Sequence, residues 1–235
     1  MSRKVYIVGG VFLVLSIIEV FSLAIGTESL HAYIKPFLMP SLMVTAILAL
    51  LPTACDRKTI TNLAIALTMH TAGDILLLFP GVKFLMAGLT AFLIGHIFYI
   101  IILSKRFGKL SPSEALWFVA VPVIMLSNLI TMPFDLPVKM RIAVSFYCAA
   151  LLCITSSGIL GVIRKYPYSW LILSGGLFFM GSDLMIALEA FMGIDFPFRH
   201  PLIMFTYILA EILLAGGIAL PYIKNKLVDN QNNTI

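Results

Sequence analysis

The chain contains eight long apolar runs, several of them near the ~20 residues that a helix needs to cross the hydrocarbon core of a bilayer. They cover approximately residues 5–25, 35–51, 60–79, 83–103, 114–132, 138–163, 168–192 and 200–223. Backbone in lipid must satisfy its own hydrogen bonds, so these segments are helices or strands of a closed barrel. Barrel strands are shorter and alternate in polarity. The runs therefore predict an all-α integral membrane protein, with about eight transmembrane helices in one bundle.

Composition supports this class. Of the 235 residues, 60% are hydrophobic and 11% are charged, whereas a soluble domain is roughly 25% charged.

The first run is longer than the roughly 7–15 apolar residues of a signal peptide, so it is expected to be a retained span. We expect a transmembrane bundle over residues 1–226 and a polar, disordered tail over residues 227–235. Three cysteines, an odd number, argue against a disulfide framework.

The distribution of Lys and Arg predicts the orientation. Eleven of the 16 fall on one side of the predicted bundle, namely Arg3, Lys4, Arg57, Lys58, Lys105, Arg106, Lys109, Arg164, Lys165, Lys224 and Lys226. Basic loops stay in the cytoplasm, so both termini are expected there and the net charge of +5 needs no nucleic-acid partner. The expected location is a cell membrane, with a bacterial inner membrane as the best fit.

Ionisable side chains lie well inside several of the spans. His70 and Asp74 lie on the third, and His96 lies on the fourth with Tyr99. Groups of this kind are expensive at bilayer depth and by default mark a functional site. The spacing of His70, Thr71 and Asp74 places them on one face of a helix.

Estimated depths in the bilayer place acids from distant spans at similar levels. At about 1.5 Å rise per residue, Asp74 and Asp183 lie ~21 and ~22 Å from the inner ends of spans three and seven. Glu211 lies ~16 Å below the outer end of span eight, in the same broad layer. His96 and Tyr99 lie deeper. We expect a pocket that opens outward, with the three acids around it and these two residues as its floor.

Two further residues have two possible roles. Lys35 precedes Pro36 at the outer start of the second run, where proline suits the first turn of a helix. It is either a ligand for a substrate phosphate or an interfacial anchor. Glu19, in the first run, either lines the pocket or links helices.

The two halves of the chain share a weak pattern. Gly73-Asp74 on span three corresponds to Gly181-Ser182-Asp183 on span seven, four spans later. Such a correspondence indicates a 4+4 parallel internal repeat about an axis along the membrane normal.

Together these motifs resemble the YhhN-like lysoplasmalogenase family. The resemblance covers nearly the whole chain and rests on Lys35-Pro36, Gly73-Asp74, Gly95-His96-x-x-Tyr99, Ser182-Asp183 and Tyr207. It implies hydrolysis of the vinyl ether bond of lysoplasmalogens, giving a fatty aldehyde and glycerophosphoethanolamine or glycerophosphocholine. The chain departs from the family pattern at Glu211, where a glutamine is expected, which adds a third carboxyl group.

By this resemblance Asp74 and Asp183 are the catalytic residues. The substrate-binding or supporting residues are expected to be Lys35, Thr71, His96, Tyr99, Ser182, Tyr207 and Glu211. The expected partners are a lysophospholipid substrate and membrane lipid, with no cofactor and no metal.

The chemistry of a vinyl ether fits two acids. Such a bond yields to acid, and its slow step is delivery of a proton to carbon, which creates an oxocarbenium ion. Glycosidases meet a similar demand with two carboxyl groups. Burial and a neighbouring like charge both favour a protonated carboxyl group, so the hypothesis is that the two aspartates share a proton.

Two other classes stay open. A small proton-coupled transporter would use the same intramembrane carboxylates. A metal-dependent hydrolase would need ligands such as His70, Asp74, His96 and Asp183, although no HxxxH or HExxH spacing supports it.

Overall fold

The computed structural model describes residues 2–118, 120, 123 and 137–232, and this part of the chain is helical and contains no strand. Its helices are α1 (Arg3–Ala24), α2 (Glu28–Leu50), α3 (Arg57–Leu76), α4 (Val82–Phe107), α5 (residues 112–118), α6 (Val138–Ile163), α7 (Ser169–Met192) and α8 (Arg199–Asn232). The prediction of an all-helical chain is confirmed for these residues.

Among the described residues, six helices are long and apolar enough to cross a membrane, namely α1, α2, α4, α6, α7 and α8. Helix α3 is not one of the six, although it has 20 residues, because it carries His70, Asp74 and four threonines. The predicted fifth span, 114–132, lies largely outside the described residues. The chain therefore has the character of a multi-pass helical membrane protein.

Neighbouring helices in the sequence pack side by side. Contacts join α1 with α2, α2 with α3, α3 with α4, α6 with α7 and α7 with α8. Contacts of α8 with α1 and α2, and of α4 with α6, join the two halves of the chain. This order agrees with a parallel repeat but also with simple antiparallel neighbours, so the repeat and the cytoplasmic termini stay predictions.

Two glycines allow α3 and α4 to approach closely. A Cβ at residue 73 would lie 2.7 Å from Cε2 of Phe92, and a Cβ at residue 95 would overlap the ring of His70. The glycines that precede Asp74 and His96 in the sequence motifs therefore have a packing role. They let the polar face of α3 press against α4.

Two predicted boundaries were wrong. Helix α2 begins at Glu28, so Pro36 lies inside it and not in its first turn. Proline is tolerated inside membrane helices, where neighbouring groups satisfy the backbone groups that it frees. Helix α8 continues to Asn232, so the predicted tail is helical to that point. After Pro221 this segment contains no glycine or proline that would end it.

The bundle has two distinct ends. At the end where α4 terminates, which we call the basic end, the Arg106 guanidinium donates to the carbonyls of Gly217 (2.7 Å) and Pro167. At the opposite end, Arg199 forms ion pairs of 2.6 Å with Glu189 and 2.7 Å with Asp195.

Candidate active site

Asp74 is enclosed where three helices meet. It lies two residues before the end of α3, and only 1% of it is exposed. The hydroxyl of Tyr207, on α8, donates to Oδ2 at 2.8 Å. From α2, Nζ of Lys35 lies 3.8 Å from Oδ1. The lysine is itself buried, so it is the counter-charge of this acid and not an interfacial anchor.

Asp183 has a partner that the sequence argument did not identify. The hydroxyl of Tyr147, on α6, donates to Oδ2 of this aspartate at 2.6 Å. Asp183 is partly buried, whereas the tyrosine is buried. The second acid is thus held from α6, a helix from which the sequence supplied no site residue.

A third acid lies one helical turn from Asp74, toward the basic end. Oε1 of Glu211 lies 2.5 Å from Nδ1 of His70, and its Oε2 accepts a hydrogen bond of 2.7 Å from the Tyr99 hydroxyl. All three side chains are fully buried. Buried ionisable groups must be paired or neutralised, and this arrangement satisfies both oxygens of the carboxyl group.

Aromatic rings connect the tyrosines that hold the two aspartates. The ring centroid of Phe179 lies 5.5 Å from that of Tyr207 and 4.6 Å from that of His96. The His96 ring in turn lies 5.3 Å from Tyr147. Within the part of the chain that the structure describes, each aspartate bonds to its tyrosine and not to the other aspartate. The shared proton of the sequence argument is therefore not seen as a direct hydrogen bond.

His96 is the least satisfied polar group of this layer. It is fully buried, and neither of its ring nitrogens has a hydrogen-bond partner among residues 2–118, 120, 123 and 137–232. Its ring centroid lies 5.0 Å from that of His70. Buried polar groups are normally hydrogen-bonded, so these nitrogens are available to a water molecule or a substrate oxygen.

Two of the predicted supporting residues bond elsewhere. The Thr71 hydroxyl donates to the carbonyl of Leu67 in its own helix, at 2.8 Å. The Ser182 hydroxyl donates to the carbonyl of Ile203, at 3.0 Å, and links α7 to α8. Neither bond reaches an acid of the site.

A close contact between a histidine and a buried glutamate extends the site toward α1. Oε1 of Glu19 lies 2.5 Å from Nδ1 of His31, in the second turn of α2. Because α2 begins at Glu28, the helix includes both His31 and Lys35. These residues are four apart in the sequence, so they lie one turn apart on the same face. Glu19 therefore lies next to the polar residues around Asp74, and its pocket-lining role stays a prediction.

A protein-bound metal ion needs several donor side chains grouped around one point. In the described residues, no three His, Cys, Asp or Glu side chains are grouped so that they could hold a metal ion. The metal-dependent alternative thus has no ligand set in this part of the chain.

Comparison with known proteins assigns the family. The model of the YhhN family matches residues 30–218. The chain belongs to the YhhN family. A search of curated proteins found no match, and a search of solved structures found none either. The family confirms the resemblance inferred from the motifs.

The matched region of this YhhN-family chain contains both aspartates and all their partners described above. Glu19 lies before the first matched residue, so its pairing with His31 is a feature of this chain that the family match does not cover.

Proposed function

We propose that this YhhN-family protein is a lysoplasmalogenase, which hydrolyses the vinyl ether of a lysoplasmalogen to a fatty aldehyde and a glycerophospho-alcohol. The observation that supports the proposal is a pair of aspartates, each bonded to a tyrosine. The two tyrosines lie at the ends of a row of rings formed by Tyr207, Phe179, His96 and Tyr147. Family membership supports it.

The reaction needs a proton at carbon and a stabilised cation. The acid protonates the β-carbon of the vinyl ether, and the C=C electron pair forms the new C–H bond. This leaves an oxocarbenium ion at the α-carbon and ether oxygen. Water adds to the α-carbon and loses a proton, and the hemiacetal collapses to aldehyde and alcohol. The proton that water loses goes to the carboxylate and passes through water to the conjugate base of the acid before the next turnover, so no net proton is consumed.

The partners of the aspartates suggest a division of roles. Lys35 supplies the counter-charge for an ionised Asp74, which suits the carboxylate that stabilises the oxocarbenium ion and accepts the proton of water. Asp183 also accepts a bond from a tyrosine, but among the described residues it forms no ion pair, and this difference from Asp74 suits the proton donor. Because Tyr147 occupies Oδ2, we assign the transferred proton to Oδ1.

His96 and Lys35 would orient the other reactants. A ring nitrogen of His96 can bind the attacking water, since its polar atoms are buried and unsatisfied by the described residues. The ammonium group of Lys35 can bind the substrate phosphate while it remains close to Asp74. Because Asp74 is buried, access of a lipid to this acid requires side chains of the site to move aside.

An assay with matched lipids tests the reaction. Purified protein in detergent should release aldehyde from a 1-alkenyl lysophospholipid without an ion gradient and in the presence of EDTA. The 1-alkyl analogue has no double bond to protonate, so it should release none. Absence of aldehyde from the alkenyl lipid would contradict the proposal, and loss of release only with EDTA would favour the metal-dependent alternative.

A proton-coupled carrier is the second candidate. It is favoured by the fully buried pair of His70 and Glu211, which resembles a proton relay between helices. A carrier would show gradient-dependent uptake in vesicles and would release no aldehyde in detergent.

A further inference from the structure

We propose that Glu19, with His31 and Lys35, forms a headgroup subsite that selects a phosphoethanolamine lipid over a phosphocholine lipid. This inference rests on the proposed function for the identity of the lipid. These residues follow one another away from Asp74: Lys35 lies beside Asp74, His31 lies one turn before Lys35, and Glu19 contacts His31.

The carboxyl group of Glu19 has one oxygen without a hydrogen-bond donor among the described residues. Its Oε1 is bonded to His31, but Oε2 is buried and has no partner in the described part of the chain. None of the glutamate is exposed, although 20% of the His31 side chain is. A carboxylate accepts at both oxygens, and leaving one of them unsatisfied in a buried position is costly. An ammonium donor would satisfy it.

The spacing matches a phosphoethanolamine group. His31 and Lys35 are four residues apart, or about 6 Å along the helix axis. In the lipid, four covalent bonds join phosphorus to nitrogen, which is a reach of about 5 Å at ordinary bond lengths. A phosphate on Lys35 therefore brings the ammonium nitrogen to the level of His31 and Glu19.

The charges of the subsite also complement the two charged groups of the lipid headgroup. The cation Lys35 would meet the phosphate, and the anion Glu19 would meet the ammonium group. A primary ammonium has three N–H donors, whereas the trimethylammonium of choline has none and is usually held by aromatic faces. A carboxylate with an unpaired oxygen thus favours ethanolamine.

The first test compares two headgroups in one assay. For Glu19→Gln, the KM for 1-alkenyl lysophosphoethanolamine should rise about tenfold, as expected for loss of a charge-assisted hydrogen bond. Its kcat should change little, and the KM for the choline lipid should change less than about twofold, since choline donates no such bond. Equal loss with both lipids, or no loss with either, would overturn the subsite.

Two further variants separate folding from recognition. Glu19→Asp keeps the carboxylate and should retain the preference for ethanolamine, so it tests the subsite even when the glutamine variant does not fold. Glu189→Gln makes the same change on a glutamate of the α7 end that pairs with Arg199, and it should leave both KM values unchanged.

A binding measurement tests headgroup selection independently of hydrolysis. The 1-alkyl lysophosphoethanolamine and lysophosphocholine lipids are not hydrolysed, and their binding can be followed by calorimetry in detergent. Selective binding of the ethanolamine lipid that Glu19→Gln abolishes would support the subsite even if no aldehyde is ever released. Hydrolysis of both lipids with equal binding would support the reaction and refute the subsite.

Discussion

Asp183 depends on a tyrosine hydroxyl that only the structure reveals. Tyr147→Phe removes the donor to Oδ2 and leaves a carboxyl oxygen without that bond. Unsatisfied buried groups cost about 1–3 kcal/mol, so the free energy of unfolding should fall by about that amount. We also expect aldehyde release to fall at least about tenfold, since each 1.36 kcal/mol of lost positioning is tenfold in rate.

Thermal unfolding in detergent and initial rates measure the two effects. Tyr33→Phe provides the matched control, because this tyrosine is 76% exposed and the change should alter neither quantity. A Tyr147→Phe variant with the rate of the unsubstituted protein would show that the hydroxyl does not position the acid.

Glu211 bonds to side chains from two other helices, and these bonds predict different effects for two substitutions. Glu211→Ala leaves His70 and Tyr99 facing a cavity, and breaking a buried pair typically costs about 3–5 kcal/mol. Glu211→Gln keeps the shape and an acceptor for Tyr99, so its cost should be about 1 kcal/mol. Thermal unfolding compares them, and equal destabilisation by the two changes would contradict a role in hydrogen bonding.

Some site residues could be predicted from the sequence and others could not. Asp74 and Tyr207 were predicted because charged and polar groups in apolar spans are rare. Tyr147 and His31 were missed because a lone tyrosine in an apolar run, or a histidine near a loop, has no periodic signal. Their partners are 36 and 12 residues away, so only packing reveals them.

At the scale of the helices, Asp56 fixes the start of α3. Its carboxylate accepts hydrogen bonds from the hydroxyl (2.6 Å) and the amide (2.9 Å) of Thr59, and these bonds lower its pKa from the usual value. A lowered pKa stabilises the fold at pH values above the unfolded pKa of about 3.9, and this contribution disappears as pH falls through the folded value.

Asp56→Ala should therefore cost about 1 kcal/mol at pH 7, as for other N-cap residues. The difference from the unsubstituted protein should shrink below about pH 4. Asp56→Asn still accepts the bonds but does not titrate, so it should lack this pH dependence. Unfolding curves at several pH values provide the check. A difference for Asp56→Ala that is the same at pH 7 and pH 3 would contradict the capping account.

The close packing of α3 against α4 predicts that a larger residue at position 95 destabilises the protein. Gly95→Ala would press a methyl group into the His70 ring, and overpacking of this kind costs about 1–3 kcal/mol. Gly10→Ala is the control, since a Cβ there would meet nothing within 4 Å, and it should stabilise α1 by about 0.5–1 kcal/mol. Thermal unfolding distinguishes them. Two variants of equal stability would show that close helix approach does not require glycine at residue 95.

Helix boundaries show where pattern analysis succeeds. Apolar runs predicted the span over residues 138–163 to the residue, because a polar turn lies at each end. The start of α2 was predicted seven residues too late, since proline and polar side chains were taken as a helix start. Hydropathy detects lipid-facing surface, whereas helix ends depend on local hydrogen bonds.

For the whole molecule, the polar site and the basic end lie at different levels of the bundle. Lys35, Asp74 and Glu19 lie near the end opposite to the one where Arg106 joins α4 to α8. The sequence predicted this separation of basic loops from intramembrane acids, because both follow from where charge is tolerated in lipid. It did not predict how buried each acid is, since the packing of side chains from different helices determines that.

The central claim is that two aspartates carry the chemistry, and their removal tests it most directly. Aldehyde release from a 1-alkenyl lysophospholipid should be measured for Asp74→Asn, Asp183→Asn and the control Asp229→Asn, which lies in an exposed position near the end of α8. We expect both site variants to fold and to lose at least about a thousandfold in rate, within the range that acid–base groups contribute, while the control keeps full activity. Near-normal release by a folded Asp74→Asn or Asp183→Asn protein would contradict the account.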